Sequence, residues 1–516
     1  MQAAASATLT PASLKSRFLT AVPLVLPALL LGFLTLLLAF ENGGYFAGTT
    51  AVVALWLLAV VVVRIMLVPA PFAGFSRSVA LVAGLLGLFA LWTLLSGQWS
   101  ESEGRALVEA DRALLYGVVF VLFGSLGADP QRLRLMAVAL AAALIGVCAI
   151  AFVSRALPGV WPIDLSEQTT RLGYPVNYWN ALGLMAALGI ILCAGFTSDI
   201  RAGRVVRVVS AGAIPLFVSV LLLTASRTAV ITVAIGLIVI VVLGRPRALL
   251  LGLAAVVPAG VVASVLTVGA DLLVSDTPVS AAAQAQGDDL ARGVALCVVG
   301  AALVRLLLLR FDAAVVGFRL GASARRIALP IAAVGAVVLV VVPTVAFDIP
   351  SRAESRIESF FEVDRGQGTG TGTNSFARLT SSASNGRVDM WRVSLAAFAQ
   401  APLRGGGADT FELAWQRERS TALRNASTLQ AHSLYLEVLA ELGLVGCLLL
   451  GGAIATVLAV LARKVRGPDR VLHGTLFAAV LCWAVAAGMD WHWEVPAVSL
   501  WFFAIGAAAM ARTGSA

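Results

Sequence analysis

Charge is scarce in this chain. Asp, Glu, Lys and Arg make up 13% of 516 residues, against about 25% in an ordinary soluble domain. Apolar residues reach 59% and the mean hydropathy is +0.93, so the chain cannot be wrapped as one polar-surfaced globule, and a soluble enzyme is excluded. Lysine is almost missing: Lys15 and Lys464 are the two among 37 basic residues. The net charge of +9 comes without any basic run interleaved with aromatics, the pattern nucleic-acid platforms use, so no nucleic-acid partner is expected. Basic residues in short cytoplasmic loops, where they set the orientation of a membrane protein, account for the excess. The five cysteines (Cys148, Cys193, Cys297, Cys447, Cys482) all fall in apolar runs without a CxxC pair, which excludes an extracytoplasmic disulfide and a structural metal. No GxxxxGK[ST] occurs, so the chain does not drive transport with ATP. No persuasive Asp-x-Asp metal signature occurs, Asp288-Asp289 at a span entrance reading equally as a charged flank, and no cofactor is implied.

What the sequence has in abundance is long apolar runs, each near the roughly 20 residues that cross a bilayer. Fourteen can be marked, at 18–40, 46–68, 78–96, 112–127, 133–153, 180–197, 206–223, 228–243, 248–269, 290–309, 327–347, 433–462, 471–488 and 495–511. The fold class is therefore an all-α integral membrane protein of about 14 transmembrane helices, with membrane lipids as its surroundings. Lys15 and Arg17 precede the first run and no small-residue cleavage site follows it, which reads as an anchor and not a removed signal peptide. The run 433–462 exceeds one crossing, and its first ten residues are expected to form a half-buried helix leading into the membrane.

Orientation follows from counting. With a cytoplasmic N-terminus, alternate loops hold Arg77; Arg132 and Arg134; Arg201, Arg204 and Arg207; Arg245 and Arg247; Arg310, Arg319, Arg325 and Arg326; Arg463, Lys464, Arg466 and Arg470; and Arg512. The opposite short loops differ: 41–45 has no basic residue, and 270–289 has four Asp and none. Both termini are thus expected in the cytoplasm of a cell that carries the chain in its inner or plasma membrane. The chain divides into spans one to eleven (1–347), a large extracytoplasmic loop between the eleventh and twelfth (348–432), and the last three spans (433–516). That loop opens with an amphipathic stretch from Arg352 to Val363. It continues through a mobile Gly/Thr/Ser tract from Gly366 to Ser384, then returns to order at Asn385 with an amphipathic helix and a Pro402–Gly407 turn. A loop of 85 residues is more often functional or disordered than idle.

Chemistry-bearing residues are few. Of three histidines, His473 falls on the cytoplasmic side, His432 ends the large loop, and His492 lies in the short outer loop Asp490-Trp491-His492-Trp493-Glu494. A lone histidine at a helix end is most often a cap or an interface residue, yet its near-neutral pKa suits it to take a proton from a hydroxyl. Arg227 follows Ser226 in the break LLLTASRTAVITVA. A guanidinium at the edge of hydrocarbon either snorkels to the interface or marks a partner or pathway. Arg387, Arg392 and Arg404 lie in the ordered part of the large loop, and Arg155 and Arg171 in the outer loop 154–179. Arginine grips phosphate oxygens with a planar fork and stays ionised, so several on one face suit a pyrophosphate. With no nucleotide site outside, any donor arrives already activated. Trp391, Trp415 and Trp493 can stack on sugars, although interfacial anchoring suits Trp493 better.

These residues resemble a known family. The run from His432 through Ser433, Leu436, Glu441 and Gly443 to Gly446 is similar to the H-[NS]-x-x-L-x-x-x-x-E-x-G-x-x-G signature of the O-antigen ligase and polymerase superfamily. Arg387, Trp391, Pro402, Gly405, Gly407 and Phe411 resemble the stretch leading into it, and Ser226-Arg227 matches in kind and place. The resemblance implies a GT-C-type membrane glycosyltransferase, mostly helical, with an outward active site beneath the large loop. It implies a polyprenyl-diphosphate-linked glycan as donor and no metal. His432 would be the catalytic base and Arg227 the contact to the donor diphosphate, with Arg387 and Arg404 matching less closely as further diphosphate ligands. Glu441 would orient a helix or touch substrate, with Trp391 and Ser226 in support. Fourteen spans exceed the usual twelve or so, and the Gly/Thr tract is extra.

The expected reaction is transfer of the glycan to an acceptor hydroxyl on a glycan, a lipid or a wall polymer, with inversion. Within the same superfamily the alternative is a polymerase joining repeat units, which the sequence does not separate from a ligase. A lipid-linked sugar transferase using Glu41 as base is a second enzymatic reading. A transporter or flippase of lipid-linked sugars is the reading from another class, but transporters keep ionisable residues near the midplane, whereas here they gather at the outer end. An assembly partner in envelope biogenesis would leave His432 dispensable.

Overall fold

The computed structural model describes residues 11–163, 170–317, 375–376, 379, 384–419 and 428–512. Among these every regular element is helical. In chain order they are α1 (Pro11–Phe40), α2 (Ala47–Leu67), α3 (Arg77–Leu95), α4 (Glu103–Gly124), α5 (Pro130–Ala156), α6 (Trp179–Ser198), α7 (Arg204–Leu223) and α8 (Arg227–Val239). There follow α9 (Leu249–Gly269), α10 (Ala281–Leu308) and α11 (Asp312–Gly317), then α12 (Arg387–Gln400), α13 (Phe411–Glu418), α14 (Leu434–Lys464), α15 (Arg470–Ala487) and α16 (Pro496–Met510).

Eleven of these are long and apolar enough to cross a membrane, which makes the chain a multi-pass membrane protein. Two further expected spans correspond to α4, whose first half carries Glu103, Arg105, Glu109, Asp111 and Arg112, and to α16, which is apolar but only 15 residues long. The expected span 327–347, the stretch Arg352–Val363 and most of the Gly/Thr/Ser tract lie outside the described residues. α4 also begins earlier than the apolar run 112–127 suggests, with Glu103 exposed and Arg105 bonded to Glu412 at 2.7 Å. Arg112 is buried and pairs with both Glu109 and Glu494.

Helix starts follow the local chemistry of their caps. Asp129 accepts from the backbone N–H of Gln131 and Arg132 with Pro130 opening α5, and Ser76 accepts from Val79 N–H at the start of α3, each satisfying amides that a helix leaves unpaired. α6 and α16 are buried on almost every side, the mark of helices that are apolar all round. α6 packs on α7, α8 and α15; α14 packs on α3 and α15; α16 packs on α4 and α1.

The loops expected to be basic gather at one end of the bundle. There Arg134 bonds Asp199 at 2.7 Å, Arg201 bonds Asp469 at 2.8 Å, and Arg207 and Arg305 share Asp312. His432, Asp490, Arg227 and Arg387 meet at the other end.

α14 carries the break that shapes this second end. Gly443 has φ 64° and ψ −163°, and divides the nine residues after His432 and Ser433 from the long apolar helix. The 402–407 turn lies against the gap. Gly406 N–H donates to Ala440 O at 3.0 Å, Gly407 N–H to Glu441 O at 2.8 Å, and Leu444 N–H to Pro402 O at 2.8 Å. A Cβ at Gly443 would sit 2.4 Å from the Leu403 carbonyl, and one at Gly405 2.2 Å from that of Glu441. Only glycine permits so close an approach of two backbones in the left-handed region.

Candidate functional site

Four arginine- and histidine-bearing elements converge on one cavity of about 130 Å³. It is lined by Arg171, Tyr178, Trp179, Asn180, Ala225, Arg227, Thr228, Asn385, Arg387 and His432. Arg227 arrives as the first residue of α8, after a break at Thr224–Ser226 in which Ala225 takes φ 46°. Arg387 opens α12, behind the left-handed pair Asn385 and Gly386. His432 stands two residues before α14 at φ 50°. Arg171 enters from the loop between α5 and α6, where its guanidinium donates to the carbonyls of Thr224 (2.8 Å) and Ala225 (3.0 Å) and to Asn180 Oδ1 (3.1 Å), with its charge 4.7 Å from the centre of the Trp179 ring. Those bonds tie Arg171 to the break that presents Arg227.

Behind His432 lies Asp490, fully buried at 0% exposure. His432 Nδ1 is 2.8 Å from Asp490 Oδ1. The same carboxylate accepts from Tyr178 Oη at 2.6 Å, Asn180 Nδ2 at 2.6 Å, Trp491 N–H at 3.0 Å and Arg387 Nη2 at 3.3 Å. Burial alone would push the Asp490 carboxyl up, but His432, Arg387 and His492 together hold it well below the usual carboxylate range. Burial, then the Asp490 charge, push the Tyr178 phenol well up, so it stays a donor. With Asp490 ionised, Nδ1 carries the shared proton and Nε2 is the basic nitrogen of the imidazole, a tautomer set by the partner.

The other expected residues fall elsewhere. Arg404 does not line the cavity: it is exposed, with its guanidinium 5.7 Å from the Trp99 ring centre. Glu441 is buried and binds backbone, accepting from Asp409 N–H (2.8 Å) and Phe411 N–H (2.9 Å). Ser226 stands just before α8 at 1% exposure and is not part of the cavity lining, its Oγ without a hydrogen bond among the described residues. Trp391 is half-buried on α12 and outside the cavity lining. Trp415 fills a small core of the loop with Val393, Phe411 and Ala431, and Trp493, far from being an interfacial anchor, is packed among Phe89, Tyr116 and Phe503. His492 is buried, and burial pushes its imidazole down to about 4. Arg155 is buried, donating to the carbonyls of Leu273 and Arg171. Glu41 is exposed and does not line the cavity.

Sequence reasoning gave Asp490 no role. Its one signal was a carboxylate in a short loop dense in Trp and His, 58 positions from the histidine it holds.

Among the described residues no group of three or more His, Cys, Asp or Glu side chains is arranged to hold a metal ion. Positive charge at the cavity comes from guanidinium groups. No curated protein matches the chain. Residues 289–451 match a family model described as O-Antigen ligase. That segment contains Arg387, Arg404, His432 and Glu441, while Arg171, Arg227 and Asp490 reach the site from outside it. The matched segment thus spans the part of the chain that carries the cavity histidine, and the likeness to the O-antigen ligase superfamily drawn from the signature holds.

Proposed function

We propose that the chain transfers a glycan from a polyprenyl-diphosphate carrier to an acceptor hydroxyl, on the outer face of the cell membrane, with inversion and without a metal. The observation that carries this reading is the single cavity shared by Arg171, Arg227, Arg387 and His432, with Asp490 behind the histidine. A diphosphate needs positive charge that stays in place, and guanidinium forks supply it in any surroundings. Arg227 also heads a helix of 13 residues, whose N-terminal amides add to the field an anion meets.

The step is a displacement at the anomeric carbon. The acceptor oxygen attacks from the face opposite the diphosphate, a new C–O bond forms, and the bond to the leaving oxygen breaks. His432 Nε2 takes the hydroxyl proton, a role worth typically about 10²–10⁴-fold. Asp490 holds the ring in the tautomer that leaves Nε2 free and stabilises the imidazolium that results. Arg227 and Arg387 meet the charge growing on the diphosphate, where one fixed donor is worth about 3–4 kcal/mol. Arg171 serves by holding the 224–225 break. Ligase and polymerase share this step and differ in the acceptor: a glycan, lipid or wall polymer for the one, a second lipid-linked repeat unit for the other.

His432→Ala tests the reading. Surface glycan in cells that depend on the variant should fall by at least about 10²-fold, with the protein at parental level in the membrane and undecaprenyl diphosphate still bound. Normal glycan in that strain overturns it.

A further inference from the structure

His432 takes a backbone conformation that a residue with a side chain seldom adopts, φ 50°. Such a conformation persists where the surroundings fix it from more than one direction. One fixing point is Asp490 on Nδ1. The other lies one residue back. Ala431 N–H donates to Glu437 Oε2 at 2.7 Å, and Glu437 N–H donates to Ser433 O at 2.9 Å. The carboxyl therefore folds back over the start of its own helix and holds the amide just before the histidine. Ala431 itself is fully buried, its methyl in the loop core with Val393, Phe411 and Trp415. The backbone entering His432 is gripped by its methyl on the loop side and by its N–H on the helix side.

Glu437 has no other evident reason to be there. It is 7% exposed and lines a second, small cavity with Glu109, Glu441 and Glu494. Arg112, the guanidinium beside that cavity, pairs with Glu109 and Glu494. An apolar side chain at 437 would avoid the cost of burying a carboxyl, but it would leave the Ala431 amide buried without an acceptor. The signature around His432 leaves position 437 open.

We propose that Glu437 is a positioning residue for transfer: through the Ala431 amide it sets the backbone of His432, so that the imidazole stands between Asp490 and the arginine cavity. The proposal rests on the reading of His432 as the base. What position 437 must supply is an acceptor oxygen, which glutamine also presents.

The experiment uses the full chain in its membrane, with surface glycan per amount of protein as the readout and binding of undecaprenyl diphosphate as the control. Glu437→Ala and Glu437→Met should lower transfer by about tenfold to a hundredfold, the loss expected when a reacting group shifts by about an ångström. Binding of undecaprenyl diphosphate should stay at the parental level, and Glu437→Gln should restore transfer to within about threefold of the parent (a residual well below that hundredfold loss). Glu437→Met fills the space of the glutamate, so it carries the test if Glu437→Ala fails to accumulate. Parental transfer by Glu437→Met, or a folded but inactive Glu437→Gln, overturns the proposal. His432→Ala in the same assay separates the two readings. If it is inactive while Glu437→Met is active, the base stands and the positioning role falls. If it is active, the reading of the base falls first.

Discussion

Two cavities lie on either side of the segment 431–441, and they are lined by opposite charges. The larger, about 130 Å³, presents Arg171, Arg227 and Arg387; the smaller, about 20 Å³, presents Glu109, Glu437, Glu441 and Glu494. The acidic groups are turned to the chain itself. Glu437 takes the Ala431 amide, Glu441 the amides of Asp409 and Phe411, and Glu109 and Glu494 share Arg112. The arginines surround open space around a histidine. Both regions bury charge at a cost. The acidic one recovers it through bonds that hold the loop to the bundle. The basic one recovers it through the bonds of Arg171 to Thr224, Ala225 and Asn180 and of Arg387 to Asp490, to which, on the reading proposed above, an anion that arrives with the donor adds.

Asp490 belongs to the basic region yet has its partners built in, so replacing it breaks the comparison most sharply. Asp490→Asn keeps the shape but offers Nδ1 an amide donor in place of a carboxylate, which favours the other tautomer. Transfer should fall by at least about tenfold, with the roughly 10⁴-fold of a buried triad aspartate as the ceiling, while undecaprenyl diphosphate remains bound. Parental transfer would reduce Asp490 to a packing residue. Arg227 comes next. Arg227→Ala should cost about 10²–10³-fold in transfer and weaken undecaprenyl diphosphate binding as well. Arg227→Lys should recover little, because a point charge does not replace a fork. Full recovery by lysine would mean that net charge at the cavity matters and geometry does not.

Asp409 adds a pH axis. Burial, with Glu109 in support and Arg105 opposing, pushes its carboxyl up to about 7. Its folded value lies above the roughly 3.9 of an unfolded aspartate, so the fold favours the protonated form. The stability it contributes is fully present below the unfolded value and is lost as pH rises through about 7. Asp490 has the opposite sign: its depressed value means a contribution present at neutral pH and lost only as pH falls through that low value. Asp409→Asn should therefore flatten the decline in loop stability between about pH 4 and 7, read by thermal unfolding, with the slopes outside that window unchanged. A slope identical to the parent would assign the decline to other groups.

The spans were legible because apolar runs of membrane length are a local signal. So was Arg227, a charge placed straight after a break in such a run, and so was His432 through its spacing to Glu441 and Gly446. What escaped was long-range pairing. Asp490 is set by a histidine 58 positions away, and Arg112 meets Glu494 across 382 positions. In sequence, the charges on the first turns of α4 look like a loop flank; in the fold the helix starts at Glu103, with Arg105 paired to Glu412 and Arg112 to Glu494. Arg171 was visible as an outer arginine, but its carbonyl partners Thr224 and Ala225 lie on another segment. Trp415 and Trp493 show the reverse: the one reads as a platform for sugars and the other as an interfacial anchor, and both are core.

Arg404 is the smallest and most discriminating case. The family resemblance makes it a diphosphate ligand, and the turn that carries it is pinned to α14 by backbone bonds. Yet its side chain points to solvent over Trp99, a contact worth roughly 0.5–1 kcal/mol at an exposed site. If the large cavity alone receives the donor, Arg404→Ala should leave undecaprenyl diphosphate binding unchanged and lower transfer by no more than about fivefold, the equivalent of that energy. Arg387→Ala, which removes a cavity guanidinium and a partner of Asp490, should do far more in the same assay. Equal losses from the two would extend the basic region beyond the cavity and onto the 402–407 turn. The donor would then have to extend past the cavity lining, which does not include the guanidinium over Trp99.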